Sequence, residues 1–388
     1  MANPRIPVVV RVVVAIAESL VGDWIAVATA AAETLVADWA AVATAERPIV
    51  DWVVVATARM KTARSRSEGG RGGDGMGQAE AVTTRLAGLD DIPAMIRISA
   101  DIWDGDDYIP RVARQWICDP KGRFIVAECG SVVRGFGRLA MRTPTDGWLE
   151  GLRVDSSFRR HGVARAIARR LLEEAKDAGA ETLRFATARN NIESIALNES
   201  LGFARIGGFR HFYCDPEPLP AAVQAARSRT VGLAEQCHVG TAGVEVERIH
   251  SPSPDDPFTS AIQGSATVAG ARGMLPSGFV FYPASARFIA EMAKRGCAFT
   301  AHDGDGRSAV LLMDTSSEMW PEAGEFVISV LEGDYALCWA VLSHAFGEMS
   351  ERGMRSVSGC VPCGGMVASM LTEIGFEKIG RASCRERV

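Results

Sequence analysis

A strong charge of one sign is missing from this 388-residue chain, whose formal net charge is -5. That balance gives no reason to expect a nucleic-acid partner, because such partners call for a basic excess. A disulfide framework is missing too. The nine cysteines are scattered without the spacing of a small secreted domain and read as reduced thiols of a cytoplasmic protein. The lone C-x-x-C pair, Cys360 and Cys363, has no second pair and no His-x-His partner nearby, so no metal is expected. Apolar runs of membrane-spanning length are lacking as well. Acidic residues such as Glu18 and Asp23 interrupt them, and no clear cleavage site marks a secretory signal. What remains is 47% hydrophobic and 23% charged. That is the composition of a soluble globular protein long enough for two domains.

Residues 1–79 read differently from the rest. Asp23-Trp24-Ile25-Ala26-Val27-Ala28-Thr29-Ala30 recurs from Asp38 and again from Asp51, in units far shorter than the common solenoid repeats. An Arg-, Ser- and Gly-rich stretch over 61–77 follows and reads as a linker. We expect this region to be upstream DNA translated from an early start, with Met76 the true first residue, and to lie outside the fold. The rival is an Ala/Val-rich helical arm that contacts a partner. The last ten residues, 379–388, match a translated sequencing-adapter string and are expected to be foreign.

Residues Arg159-Arg160-His161-Gly162-Val163-Ala164 carry the strongest signal. Upstream, Trp148, Leu152 and Val154 alternate as in a half-buried strand. Downstream, Val163, Ile167, Leu171 and Leu172 fall at helical spacing with arginines and glutamates between them. A strand, a basic loop with one glycine and a helix start make an anion site. N–H groups point out of the first helical turn, and the helix dipole favours negative charge there. The basic cluster over 153–170 suits a small polyanion.

This loop resembles the pyrophosphate loop of the GCN5-related N-acetyltransferases (the GNAT family), written Q/R-x-x-G-x-G/A, with Arg159, Gly162 and Ala164 at the signature positions. Residues 191–203, from Asn191 to Phe203, resemble the family's N-x-x-A/S-x-x-L-Y-E-x-x-G-F segment, in the expected order and with a strand over 182–188 between the blocks. The resemblance implies an α/β fold of tandem acyl-CoA N-acyltransferase domains, each a mixed twisted sheet flanked by helices. The first domain is expected at 80–215: strand 82–87, a helix from Leu89, a hairpin of 124–129 and 132–141, the fourth strand, the loop and its helix, strand 182–188, helix 191–201 and strand 204–213. After a linker at 216–243, the second domain (244–378) repeats the order weakly. It has a hairpin of 298–302 and 309–314, strand 325–331, a helix over 335–349 with Trp339, Leu342 and Phe346 on one face, and strand 355–361. Its counterpart of the phosphate loop, Glu332-Gly333-Asp334-Tyr335, is short and acidic and would repel pyrophosphate. This domain is read as degenerate, completing the substrate cleft or buttressing the first.

The resemblance also implies an activity, acetyl transfer from acetyl-CoA as cosubstrate to a primary amine. On that reading Leu152, Arg153 and Val154 face the pantetheine arm. Arg159, Arg160, His161, Gly162, Val163, Ala164 and Arg165 hold the pyrophosphate, and Asn191 and Asn198 stand at coenzyme-contacting positions. Glu150 is the candidate general base. It lies two residues before Leu152 and is expected to share that residue's face. Where the family carries its tyrosine acid, this chain has Asn198, which has no proton to give a thiolate but can hydrogen-bond the sulfur, leaving proton delivery to solvent or Tyr213. His211 is expected on a strand surface. Trp103, Asp107 and Tyr108 lie where an acceptor site is expected, in a stretch mixing acids and aromatics. Two short blocks also resemble the vertebrate histidine N-acetyltransferase-like proteins, which tilts the acceptor towards a small amine or amino acid. No nucleic-acid or membrane partner is implied. The alternatives are a non-catalytic acetyl-CoA sensor and an acetyltransferase of protein N-termini or lysines.

Overall fold

The computed structural model describes residues 52–60, 81–105, 107–214, 228, 244–315, 325–353, 356–362, 366–373 and 377–378. The expectations for residues 1–51, for the linkers and for the tail at 379–388 lie outside the described residues, as does Cys363. The first strand is β1 (Trp52–Arg59). The first half then runs β2 (Val82–Leu86), α1 (Ile92–Ser99), α2 (Ile109–Ile117), β3 (Gly122–Cys129), β4 (Val132–Met141), β5 (Asp146–Val154), α3 (Val163–Asp177), β6 (Thr182–Ala188), α4 (Ile192–Ser200) and β7 (Ala204–Cys214). The second half begins β8 (Glu245–Arg248), α5 (Pro257–Gly264), α6 (Ala266–Gly270), β9 (Met274–Ser277), β10 (Val280–Pro283) and α7 (Ala286–Arg295). It continues β11 (Cys297–His302), β12 (Ser308–Asp314), β13 (Glu325–Gly333), α8 (Tyr335–Glu351), β14 (Ser356–Pro362), α9 (Met366–Glu373) and β15 (Glu377–Lys378). One mixed sheet carries the order β2-β3-β4-β5-β6-β1-β7-β14-β13-β12-β11-β8, with β15 also on β7 and β9–β10 a separate hairpin.

Both faces of the first half's sheet are covered, and the strand sequences show why. In β3, Ile125, Ala127 and Cys129 point to one side with Val163, Ile167 and Leu171 of α3. Phe124 and Val126 point to the other with Ile109, Val112 and Trp116 of α2, as the two-residue period requires. Helix α3 buries Val163, Ile167, Leu171 and Ala175, a stripe at i, i+4 spacing. Each of its larger apolar side chains contributes about 1.5–3 kcal/mol by burial. Helix α2 opens with Pro110 in its first turn, where the missing N–H costs nothing, and buries Ile109, Val112, Ala113 and Trp116.

The halves join through side chains as well as through the sheet. Phe281 of β10 stacks on Trp148 of β5 at 6.0 Å between centroids and meets Phe209 of β7 edge-on at 5.0 Å. Truncating such a buried ring costs about 3–5 kcal/mol.

Two expectations about the fold, for residues 52–59 and for His211, differ from the structure. Residues 52–59 were expected outside it, yet β1 pairs antiparallel with both β6, from Val53↔Ala188 to Arg59↔Thr182, and β7, from Trp52↔Arg210 to Thr57↔Ala204. A run rich in valine fits a strand with neighbours on both sides. Helix α8 buries the expected Trp339, Leu342 and Phe346, and Leu337, Cys338, Ala340 and Val341 as well. His211, expected on a strand surface, is buried and stacks on Phe279 at 4.7 Å.

Candidate functional site

Strands β5 and β6 are parallel, but they pair only at Asp146↔Thr182, Gly147↔Leu183 and Trp148↔Arg184. Beyond Trp148 the two strands part, and the notch between them opens towards the residues singled out from the sequence. On the β4 side, the β5 register slips between Phe136 and Arg138: Arg138 faces Glu150 while Phe136 faces Arg153. The slip is a β-bulge centred on Gly151, whose φ is +66°. A side chain there would be strained, and its Cβ would also stand 2.8 Å from the Trp116 ring. Glycine therefore satisfies both the backbone and the packing at this point.

The bulge overturns one expectation. Glu150 does not share a face with Leu152. Leu149, Leu152 and Val154 pack with the α3 cluster, whereas Glu150 points with Trp148 and Arg138 to the other side. The alternation rule holds only along an unbroken ladder, and one extra residue reverses it.

At the head of α3, Gly162 has φ +84° and ψ -3° as the N-cap. The left-handed turn swings the chain from the loop into the helix, and the helix geometry leaves the N–H groups of Val163, Ala164 and Arg165 without intrahelical partners. The first bond of the helix is Ala166 N–H to Gly162 O, 2.9 Å. Arg159, Arg160, His161 and Arg165 are exposed around this turn. His161 Nδ1 lies 2.8 Å from Arg159 O. The Asp155 side chain closes the turn before the loop, accepting from Ser157 N–H at 3.0 Å and pairing with Arg134 at 3.0 Å. The Ser157 hydroxyl, more than Arg134, holds the Asp155 carboxyl below its ordinary value.

On the opposite face Glu150 sits in a line of charge. Its carboxylate bonds Arg138 and lies 3.4 Å from Arg142 Nη2. Arg138 continues to Asp119 and rests over Trp116, its Cζ 4.6 Å from the ring centroid. Buried charges persist only when paired in this way. Past the bulge, Arg153 Nε donates to Asp107 Oδ2 at 2.7 Å, and Asp107 Oδ1 accepts the Ile109 N–H at 3.1 Å. Tyr108 is buried beside them, its ring 5.3 Å from Arg153 Cζ. Burial pushes the Tyr108 hydroxyl up to about 12, with Glu150 and Asp107 adding to the rise against Arg153.

The structure thus brings Glu150, Arg153, Asp107 and Tyr108 to one face of the notch. It places Leu152 and Val154 on the other, and residues 159–165 at the notch's helical end. Trp103 lies in the short 3-10 turn Ile102–Gly105, its side chain outside the described residues, as is that of Tyr213. Asn191 caps α4, its Oδ1 accepting from Ser194 N–H at 3.2 Å and its Nδ2 donating to Thr187 at 3.1 Å. Asn198 is buried and donates to Ser194 O at 2.8 Å. Sequence reasoning missed Arg138, Arg142, Asp119 and Trp116. The signal for Arg138 was present: it falls in step with Phe136 and Ala140 on a strand whose other charge is Arg134, and a charge among apolar neighbours must have a partner.

The second half repeats the parting of strands. β13 and β14 are parallel only from Glu325↔Ser356 to Ile328↔Gly359. At its loop one acidic side chain takes the helix N-terminus, and another turns away to a neighbouring helix. Asp334 caps α8 through Ala336 and Leu337 N–H, and both Glu332 oxygens accept the Ala266 N–H at 2.8 Å. Among the described residues no cluster of His, Cys, Asp and Glu suits a metal, and no helix is long and apolar enough to cross a membrane.

Comparison with known proteins agrees with this geometry. Residues 92–203 match the model of the acetyltransferase (GNAT) family. The N-alpha-acetyltransferase RimI of Mycobacterium tuberculosis is 28% identical over 138 residues, covering 34% of this chain and 85% of that protein. Human N-acetyltransferase 8 is 32% identical over 108 residues, covering 26% of this chain. The chain spans 47% of that relative, about half its length. Among solved structures, a GCN5-related glucosamine N-acetyltransferase region of a fungal multi-domain β-N-acetylglucosaminidase superposes with a TM-score of 0.50 at 13% identity. That superposition covers 79% of this chain and 38% of the other, and it speaks for the fold alone. The parted strands, the left-handed glycine and the matched residues come together in one conclusion: the chain carries an acetyltransferase domain of the GNAT family.

Proposed function

We propose that the chain transfers an acetyl group from acetyl-CoA to the primary amine of a small molecule or amino acid. The observation that carries the reading is the notch between β5 and β6 meeting the N-terminus of α3 at Gly162. Backbone donors and a helix dipole converge there on the place a pyrophosphate would take. The N–H groups of residues 160–165 bind the pyrophosphate, with Arg159, Arg160, His161 and Arg165 supplying positive charge around it. The backbone of Leu152, Arg153 and Val154, freed from β6 by the parting, serves the pantetheine arm and the acetyl carbonyl.

Acetyl-CoA supplies the activated acyl group; the protein must deliver a neutral amine and manage two protons. Glu150 is the base in this reading. It stands on the notch face beside Tyr108, and it takes one proton from the ammonium so that the nitrogen lone pair attacks the thioester carbon. The carbon–sulfur bond then breaks, the nitrogen gives up its second proton to solvent, and the leaving thiolate takes a proton from solvent. Asn198, tied to Ser194 O, has no proton to deliver and acts as a dipole near the sulfur. Asp107 orients Arg153, and Tyr108 bounds the acceptor side.

A second reading has support from two observations. Asn198 is spent within its own helix and Glu150 is held by two arginines, as in a domain that binds acetyl-CoA without turning it over. Thiol release measured over a panel of small amines, amino acids and N-terminal peptides, beside calorimetry with acetyl-CoA, separates the readings. Turnover with a small amine is expected. Binding without release across the panel favours the sensor, turnover only with peptides favours a protein acetyltransferase, and no heat with acetyl-CoA or free CoA removes the assignment.

A further inference from the structure

The second half has no free helix N-terminus at the counterpart of the Gly162 loop, since Asp334 takes the Ala336 and Leu337 N–H groups there. It nevertheless reaches the first half's carboxylate. The β9–β10 hairpin lies on the face of the sheet that carries Glu150, anchored by Phe281 between Trp148 and Phe209 and by Phe279 against His211. The next residue, Tyr282, is buried, with its ring 5.1 Å from Arg142 Cζ. Phe288 of α7 backs the tyrosine at 5.4 Å. Arg142 sits where β4 turns towards β5, its N–H bonded to Asp146 O at 2.8 Å, and its Nη2 lies 3.4 Å from Glu150 Oε2. We propose that Tyr282 and Arg142 are positioning residues: the second half's hairpin holds the Arg142 guanidinium against Glu150 and so sets where the carboxylate stands in the first half's notch.

The physical case rests on three points. A guanidinium with little solvent access needs its remaining faces satisfied, and the face of a tyrosine ring attracts it. A planar cation fixed on one side by a ring presents its N–H edge in a fixed direction, which a flexible arginine would not. The carboxylate it meets is already bonded on its other oxygen by Arg138, so Arg142 selects the rotation of the carboxyl plane. Among the described residues, charged and titratable groups facing Glu150 include Arg138 and Arg142 from β4 and Tyr108 from the start of α2. Asp119 acts through Arg138, Tyr282 through Arg142, and the Arg153–Asp107 pair lies beyond the bulge. This link assigns the second half a task in the first half's chemistry. As a catalytic device it rests on the reading of Glu150 as base; as a structural link it does not.

The test uses the full chain labelled with 13C at the glutamate carboxyls. The Glu150 signal is identified by its loss in Glu150→Gln, and its titration midpoint is followed in the variants. Arg142→Gln removes a cation beside the carboxylate and is expected to raise the midpoint by about one pH unit. Tyr282→Ala is expected to raise it in the same direction by less, because Arg142 stays charged but loses its fixed edge. Tyr282→Phe keeps the ring face and is expected to leave the midpoint in place. Val280→Ala, in the same hairpin, is the control for loosened packing and should lower the melting temperature without moving the midpoint. Should Tyr282→Ala fail to fold, Tyr282→Leu fills the same space without a ring and carries the same expectation. A midpoint unmoved by Tyr282→Ala while Arg142→Gln moves it overturns the hairpin's role. One unmoved by both overturns the link. Failure of the base reading looks different: Glu150→Gln leaves the turnover pH profile unchanged while Tyr282→Ala still shifts the Glu150 midpoint.

Discussion

Gly162→Asp separates binding at the α3 N-terminus from the stability of the fold, because the two respond by very different amounts. At φ +84°, aspartate is among the few side chains that enter the left-handed region readily, at a cost of about 1 kcal/mol. No atom lies within 4 Å of the position its Cβ would take, so there is no clash to add. A negative charge at the N-terminus of a 15-residue helix returns about 0.3–1 kcal/mol through the dipole. The net change in stability should therefore stay within about 1 kcal/mol, near the limit of a melting curve. Coenzyme binding should suffer far more. A carboxylate about 5 Å from a phosphate charge repels it by about 0.8 kcal/mol at the dielectric of water and about 3 kcal/mol at an effective value of about 20. That range weakens Kd by about 4-fold to about 200-fold, and the effect should shrink as salt is raised. Calorimetry with free CoA at two salt concentrations, beside thermal melts, measures both quantities. A variant that melts like the parent and binds CoA equally well would refute the placement of the pyrophosphate on these amides.

Three further outcomes follow from the geometry. Gly151→Ala forces an ordinary residue to φ +66° and puts its Cβ 2.8 Å from Trp116; a loss of about 2–4 kcal/mol in chemical denaturation is expected, and a loss below about 1 kcal/mol would mean the bulge relaxes away. Asp91 accepts from Gly88 N–H at 2.7 Å and pairs with Arg85, whose hydrogen bonds hold its carboxyl below the usual 3.8. Asp91→Ala should cost about 1–2 kcal/mol at pH 7. Because the folded value is the lower one, the gap between parent and variant should close as pH falls from about 4 through that value; a gap that persists unchanged into strong acid contradicts the pairing. Starting the chain at Met76 removes β1 and both its ladders, so a clear fall in melting temperature is expected, and an unchanged one would show that β1 contributes nothing to the sheet.

Much of the first half was legible because its signals are local. Strand 182–188 was expected between the two motif blocks, and β6 spans those residues, bounded by turns on both sides. The turn into α3 at Gly162 was legible for the same reason: a glycine, a basic cluster and a helical stripe stand next to one another in sequence. The bulge was not legible. Nothing in Leu149-Glu150-Gly151-Leu152 distinguishes a strand glycine from a left-handed one, and the period-2 rule put Glu150 on the wrong face. The contact between Asp107 and Arg153 joins residues far apart in sequence, so only the fold could supply it. β1 was illegible for a related reason. Its partners, β6 and β7, lie more than a hundred residues away, and a repeated Ala/Val segment shows no local preference that reveals a slot between them.

The arrangement of β1 and β7 explains why the two halves share one sheet. In the first half the second parallel strand, β6, is followed across the sheet by β1, antiparallel to it. In the second half the corresponding strand, β14, is followed by β7, again antiparallel, from Val357↔Cys214 to Pro362↔Phe209. Each half thus closes against a strand that precedes it in the chain. β7 does so for the second half while its earlier residues, 204–210, pair with β1. A strand used by both halves cannot be withdrawn from one without stripping hydrogen bonds from the other, and unpaired backbone groups in a covered sheet are costly. Phe209 adds the same constraint in side chains, since it lies at the crossing point and packs on Phe281 of the second half. Separation of the halves at the linker therefore exposes an edge on β14 and leaves Trp148 and Phe209 without their cover, and the whole should unfold as one cooperative unit rather than half by half.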